Sequence, residues 1–176
     1  MTVLVILGVS GSGKTTIGQA LARRLNFEFI EGDEFHSRAN RERMHAGLPL
    51  LEADRQPWLE ALRSRIQKLQ ARKGNAVLTA SALRQSSRNA LTMPGVKFIY
   101  LQVSEDVARE RLIARRKHLF NPALLESQFA TLEEPRDAVV VDADMPDLHV
   151  TQEIVRALSA IATAEARAHR RAVSKA

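Results

Sequence analysis

Short runs of consecutive apolar residues alternate along this chain with longer segments in which apolar residues recur every three or four positions. Val3-Leu4-Val5-Ile6-Leu7 is the first run, apolar at every position and so suited to a strand buried on both faces of a parallel sheet. After a glycine-rich break, Ile17, Leu21 and Leu25 fall at helical spacing between Thr15 and Leu25. Phe27 to Ile30 predicts a second strand closed by Gly32-Asp33. Glu34 to Gly47 predicts a helix bearing His36, Asn40, Arg43 and Met44, with Gly47 and Pro49 as its stop. From Asp54 to Ala71, Trp58, Leu59, Leu62, Ile66 and Leu69 mark a longer amphipathic helix.

The alternation continues in the second half. Ala76-Val77-Leu78 predicts a third strand, followed by a polar helix from Ser81 through Leu91. Val96 to Val103 predicts a fourth, and Ser104 suits the N-cap of a helix from Glu105 to Arg116. Asn121 to Thr131 reads as a short helix, Ala138 to Val141 as a fifth strand ending in Asp142, and His149 to about His169 as a final helix. Strand and helix in strict turn, with strands too apolar to face water, predict an α/β fold: a five-stranded parallel sheet covered by helices on both faces. The Ala- and Arg-rich tail, about 165–176, is expected to fray.

Composition narrows the class without naming a function. A length of 176 residues suits one domain, and 45% hydrophobic with 26% charged residues is the balance of a globular protein. The absence of cysteine excludes disulfides, thiolate metal sites and a thiol nucleophile. That composition is compatible with a reducing cytoplasm, which is the expected location. The N-terminal apolar run is too short for a signal-peptide core, and no stretch approaches the ~20 apolar residues of a membrane span. A net charge of +6 raises the question of nucleic acid. Half of that excess lies beyond Ile161, in Arg167, Arg170, Arg171 and Lys175 against Glu165, and no basic strand carries interleaved aromatics. Nucleic acid is therefore not an expected partner.

Chemistry enters at the glycine-rich break. Gly8-Val9-Ser10-Gly11-Ser12-Gly13-Lys14-Thr15 fits G-x-x-x-x-G-K-[ST] without a mismatch, with a strand before it and a helix after. In such a loop the backbone amides of residues such as Ser10, Gly11, Ser12 and Gly13 turn inward. Together with the helix N-terminus, where Thr16 also lies, they bind phosphate oxygens. Lys14 would bridge the β- and γ-phosphates of ATP, and Thr15 would ligate Mg²⁺ through its hydroxyl. The pattern separates nucleotide binding from a plain glycine turn, but it does not separate kinases from other nucleotide hydrolases or switches.

Further along stand Gly32-Asp33-Glu34-Phe35-His36, then Asn40, Met44, Gly47, Pro49-Leu50 and Asp54-Arg55-Gln56-Pro57-Trp58-Leu59. Ser81-Ala82-Leu83, Arg88, Arg111, Arg115, His118 and Ser127-Gln128-Phe129-Ala130-Thr131-Leu132-Glu133-Glu134-Pro135 follow. This series resembles the gluconokinases, relatives of shikimate kinase, from about Leu4 to Pro146. The resemblance implies a nucleoside-monophosphate-kinase-like P-loop fold with a small lid, about 112–135. It also implies phosphorylation of D-gluconate to 6-phosphogluconate with ATP and Mg²⁺, with a homodimer among the forms to expect.

The residues themselves support parts of that expectation. A carboxylate at Asp33, at the carboxyl end of a strand beside the phosphate loop, can orient or deprotonate a substrate hydroxyl, although an N-cap role is the plainer alternative. His36, Arg55 and Arg88 are candidates for holding the acceptor, since Arg suits bidentate carboxylate recognition, with a surface charge as the alternative for each arginine. The resemblance puts Arg111 and Arg115 at the lid, where they would neutralise the transferring phosphoryl group, with a solvated helix end as the rival reading. The resemblance adds His118 and Gln128 to the acceptor side, and puts Asp142 to Pro146 in the loop that contacts adenine.

The chain departs from the family pattern in three places, the first bearing on the acceptor and the others on Mg²⁺ geometry or lid motion. Arg84, Ser87 and Asn89 stand where family members carry lysine, tyrosine and aspartate, Glu31 stands where aspartate is commoner, and Lys117 where glycine is. The competing readings are a kinase for another sugar acid, shikimate or a nucleoside monophosphate, and a nucleotide-binding regulatory protein without catalysis.

Overall fold

A computed structural model describes residues 1–114 and 122–173. Among these, β1 (Val3–Leu7), β2 (Glu28–Glu31), β3 (Ala76–Thr79), β4 (Val96–Gln102) and β5 (Ala138–Asp142) form one sheet in the order β2-β3-β1-β4-β5. Every neighbouring pair is parallel, with Val3 opposite both Ala76 and Val96. The helices between them are α1 (Lys14–Leu25), α2 (Arg38–His45), α3 (Glu52–Ala71), α4 (Gln85–Leu91), α5 (Glu105–Ala114), α6 (Pro122–Thr131) and α7 (Asp147–Val173).

Alternation along β1 divides the core in two. Leu4 and Ile6 point to one face, where they pack with Ile17 and Leu21 of α1 and Val150 and Ile154 of α7. Val3, Val5 and Leu7 point to the other, against Trp58, Leu59, Leu62, Ile66 and Leu69 of α3 and Leu91 of α4. Each of those α3 side chains is buried, a contribution of about 1.5–3 kcal/mol apiece. Because all strands run the same way, their carboxyl ends share one edge, and the loops of that edge carry the site.

The helix predicted over Glu34 to Gly47 is instead a 3₁₀ turn, Gly32–Phe35, followed by α2. Ser37 causes the division: its side chain accepts from the Asn40 amide at 3.1 Å, starting α2 there and leaving His36 extended. The Ser81–Leu91 helix is shortened to α4, because Ala82 adopts φ 38° and cannot lie in a right-handed helix. α3 starts two residues early, where the Asp54 carboxylate accepts from the Leu51 amide at 2.9 Å. α7 begins at Asp147 and runs through Val173, so the described part of the tail is helical rather than frayed. Lys97 of β4 meets Glu165 at 2.7 Å along this extension. Ser104 does cap α5, accepting from the Val107 amide at 3.4 Å.

α6, within the span read as a lid, is seated on the core through buried Leu124 and Leu125. Phe129 and Leu132 pack on the same cluster. The Glu133 amide then donates to the Leu83 carbonyl at 3.0 Å. No helix among the described residues is long and apolar enough to cross a membrane.

Candidate active site

The phosphate loop leaves the end of β1 and enters α1 with Lys14 as the first helical residue. Its shape depends on glycine at position 11, where φ is 82° and a Cβ would lie 2.5 Å from the Ala108 carbonyl oxygen. The Lys14 ammonium donates to the Gly8 and Val9 carbonyls, each at 2.9 Å, which curls it over the loop. Ser12 is fully buried and its hydroxyl oxygen has no hydrogen-bond partner among the described residues. A buried hydroxyl without a partner carries a desolvation cost, and a phosphate oxygen in the loop would relieve it. Thr16 is exposed in the first turn of α1, whose leading amides have no intrahelical acceptor.

Thr15 connects this loop to the acceptor side. Its hydroxyl donates to Glu31 at 2.7 Å, and the other Glu31 oxygen accepts a hydrogen bond from the Thr79 hydroxyl at the end of β3. Thr79 Oγ1 in turn accepts from the Gly32 amide at 3.3 Å. A hydroxyl and a carboxylate beside a phosphate-binding loop are hard oxygen donors, the set that suits Mg²⁺ held partly by nucleotide phosphates. Glu31, noted in the sequence only as a departure, thus links the start of α1 to the ends of β2 and β3.

Asp33 follows on the 3₁₀ turn, exposed; its carbonyl accepts from the His36 amide at 3.3 Å, while its carboxylate has no hydrogen bond or ion pair among the described residues. Ser37 supplies the α2 cap, so the N-cap alternative for Asp33 does not apply. The turn is pressed against β3: a Cβ on Gly32 would sit 2.0 Å from the Thr79 carbonyl oxygen. It is also held from α3, where the Trp58 indole N–H donates to the Gly32 carbonyl at 2.8 Å. His36 stacks on that indole with ring centroids 4.6 Å apart and planes within 10°. The imidazole is 5% exposed, its Nδ1 has no partner among the described residues, and its pKa is lowered from 6.5 to about 4. Burial is the main cause, followed by the positive charges of Arg41 and Arg55. The ring is neutral at pH 7 and faces a cationic neighbourhood.

The arginines divide. Arg55 lies one turn before Trp58 on α3 and pairs with Glu52 at 3.4 Å. Arg88 is completely buried, so the surface-charge alternative fails for it. Its guanidinium donates to the Ala82 carbonyl (3.1 Å), the Leu83 carbonyl (2.8 Å) and Gln85 Oε1 (2.8 Å), while Nε has no partner. Burial lowers its pKa, with Asp137, Glu133 and Tyr100 opposing. In this state Arg88 clamps the loop after β3. Arg111 donates to the Ala143 carbonyl at 2.7 Å and the Met145 carbonyl at 3.2 Å, so it braces the loop after β5. Asp142 accepts from the Asp144 amide at 2.9 Å in that same loop. Arg115 and His118 lie outside the described residues.

Gln128 reaches the phosphate loop. Its Oε1 accepts from the Ser10 amide at 2.6 Å, which puts an α6 side chain directly on a loop amide of the phosphate cradle. The resemblance implies an acceptor-side role for Gln128, and the contact seen in this structure is with the Ser10 amide. Nothing in the spacing of positions 10 and 128 signals this contact, since it depends on how α6 seats over the sheet.

The comparisons with known proteins decide the family. Residues 3–135 match the family described as an AAA domain. The chain is 45% identical over 141 residues to a probable gluconokinase of Dictyostelium discoideum, spanning 76% of this chain and 70% of that one. It is 40% identical to the thermoresistant gluconokinase of Escherichia coli K12, over 82% and 86% of the two chains. The chain belongs to the gluconokinase family. Among solved structures, a gluconokinase from Sinorhizobium meliloti 1021 superposes with a TM-score of 0.83 at 38% identity, covering 92% of this chain and 94% of that one. In this gluconokinase family member the two halves of the site, phosphate loop and Asp33 turn, are joined through Glu31 and Thr79.

Proposed function

We propose that this protein phosphorylates D-gluconate to 6-phosphogluconate with ATP. The observation that carries the reading is the shared edge: a phosphate loop and the carboxylate of Asp33, without a partner among the described residues, stand at the carboxyl ends of β1 and β2 with only β3 between them.

Lys14 leaves the Gly8 and Val9 carbonyls to follow the β- and γ-phosphates, while the loop amides and the α1 N-terminus hold their oxygens. Thr15 and Glu31 are the residues that would hold Mg²⁺, directly or through its waters. That ion, when bound, neutralises charge shared between the two phosphates. Asp33 accepts the proton of the acceptor hydroxyl as its oxygen bonds to the γ-phosphorus and the bond from phosphorus to the bridging oxygen of ADP breaks. Neutral His36, fixed by its stack on Trp58, offers hydrogen bonds to hydroxyls of the acceptor without adding charge. Arg111 keeps the β5–α7 loop in shape for the base of the nucleotide.

The test is ATP- and Mg²⁺-dependent formation of 6-phosphogluconate by the purified protein, followed alongside shikimate, nucleoside monophosphates and other sugar acids. Turnover of gluconate that disappears in Asp33→Asn is expected. Nucleotide binding with no phosphoryl transfer to any acceptor would refute the reading in favour of a regulatory protein.

A further inference from the structure

Two arginines beside the Asp33 turn share one carboxylate oxygen. Glu52 Oε2 accepts from Arg55 of α3 at 3.4 Å and from Arg84, the residue before α4, at 3.3 Å. We infer that Arg84 and Arg55 form the clamp for the carboxylate of a small hydroxy acid, and that Glu52 occupies this clamp while the acceptor is absent. The inference rests on the kinase reading and specifies its acceptor subsite.

Position supports it first. Arg55 lowers the pKa of His36 through space, so its charge lies close to that ring, which stacks on Trp58 and through it reaches the Gly32 carbonyl next to Asp33. Arg55 therefore lies beside the turn that carries Asp33, and Arg84 is tied to it through their shared partner Glu52. Construction of the loop supports it second. Arg84 follows Ala82, which is held at φ 38°, a conformation costing a non-glycine residue about 1–2 kcal/mol. Buried Arg88 donates to the Ala82 and Leu83 carbonyls, and Glu133 pins both neighbours of Arg84. The Glu133 amide donates to the Leu83 carbonyl at 3.0 Å, and its carboxylate accepts from the Gln85 amide at 2.6 Å. A strained, doubly fastened backbone thus carries an arginine whose side chain is 43% exposed. Rigid backbone under an available guanidinium is the arrangement of a recognition residue.

The present contact is also weak. One oxygen at 3.3 and 3.4 Å serves two guanidinium groups, where a carboxylate placed between them could give each an oxygen of its own. Exposed pairs of this kind contribute about 0–1 kcal/mol, so an incoming carboxylate displaces Glu52 at little cost. Of the charges nearby, Arg43 faces Asp54 at 3.8 Å, and Arg41 donates to the His36 carbonyl at 2.5 Å. Arginine at position 84 suits this role, because a guanidinium offers a carboxylate a two-pronged contact and an ammonium does not.

The experiment compares wild type, Arg84→Ala, Arg84→Lys and Glu52→Gln on gluconate and on glucitol, the polyol of the same length without the carboxylate. Arg84→Ala should raise the KM for gluconate about tenfold or more, with kcat and the KM for ATP within about threefold. Arg84→Lys should fall between it and wild type. The preference for gluconate over glucitol should shrink in Arg84→Ala, and Glu52→Gln should lower the gluconate KM by removing the competing carboxylate. Gluconate turnover with an unchanged KM in Arg84→Ala, or an equal loss on glucitol, overturns the clamp and leaves the kinase reading standing. A wild type that phosphorylates no carboxylic acid overturns both.

Discussion

Acidification should weaken this fold through His36, and the size of the effect follows from its surroundings. The ring is 5% exposed between Trp58 and the charges of Arg41 and Arg55, and its pKa falls from 6.5 to about 4. An unfolded chain takes up this proton as the pH drops through 6.5, whereas the folded chain resists until about 4. Over that window the unfolded state binds more protons, so stability is full above it and declines as pH falls. At 1.36 kcal/mol per unit, the whole window corresponds to about 3 kcal/mol, of which about 2 kcal/mol develops between pH 7 and 5. The control is His36→Phe, which keeps an aromatic ring against Trp58 but has no proton to gain. Urea unfolding at the two pH values can be followed by the fluorescence of Trp58, the single tryptophan of the chain. Wild type should lose about 2 kcal/mol more than the variant on acidification. Equal losses in the two proteins would refute the assignment of this pH dependence to His36.

Other perturbations test separate parts of the site. Gln128→Glu sets a carboxylate against the Ser10 amide; the KM for ATP should rise about tenfold by charge repulsion while that for gluconate holds, as steady-state kinetics would register. Gly32→Ala forces a methyl group to within 2.0 Å of the Thr79 carbonyl oxygen, and thermal unfolding should show a loss of about 3 kcal/mol. Arg88→Met removes the donors that hold Ala82 and Leu83. Chemical denaturation should report a cost of about 3 kcal/mol, accompanied by weaker gluconate binding as the Arg84 loop relaxes.

The strand and helix order was legible in the sequence because each signal is local. Val3 to Leu7 is apolar at every position, and Trp58 to Leu69 repeats at helical spacing, so the backbone state follows from neighbours along the chain. The G-x-x-x-x-G-K-T loop was equally plain, since one short segment both forms and fills the phosphate cradle. Misread boundaries occurred where a side chain from elsewhere, or a capping group, overruled periodicity. Ser37 ends the expected continuity of the Glu34–Gly47 helix, and Ala82, fastened by Arg88, delays α4 to Gln85.

What the sequence by itself determined is therefore the alternating fold, the nucleotide loop and the set of charged residues available to the site. Tertiary structure alone decided how those charges are used. Gln128 touches Ser10 across 118 positions, Glu31 joins Thr15 to Thr79, and Arg88 turns inward while Arg84 stays outward. The physical reason is that a hydrogen bond or ion pair is specific only once packing has fixed both partners, and residues far apart in the chain acquire that relation only when the sheet and its helices have formed.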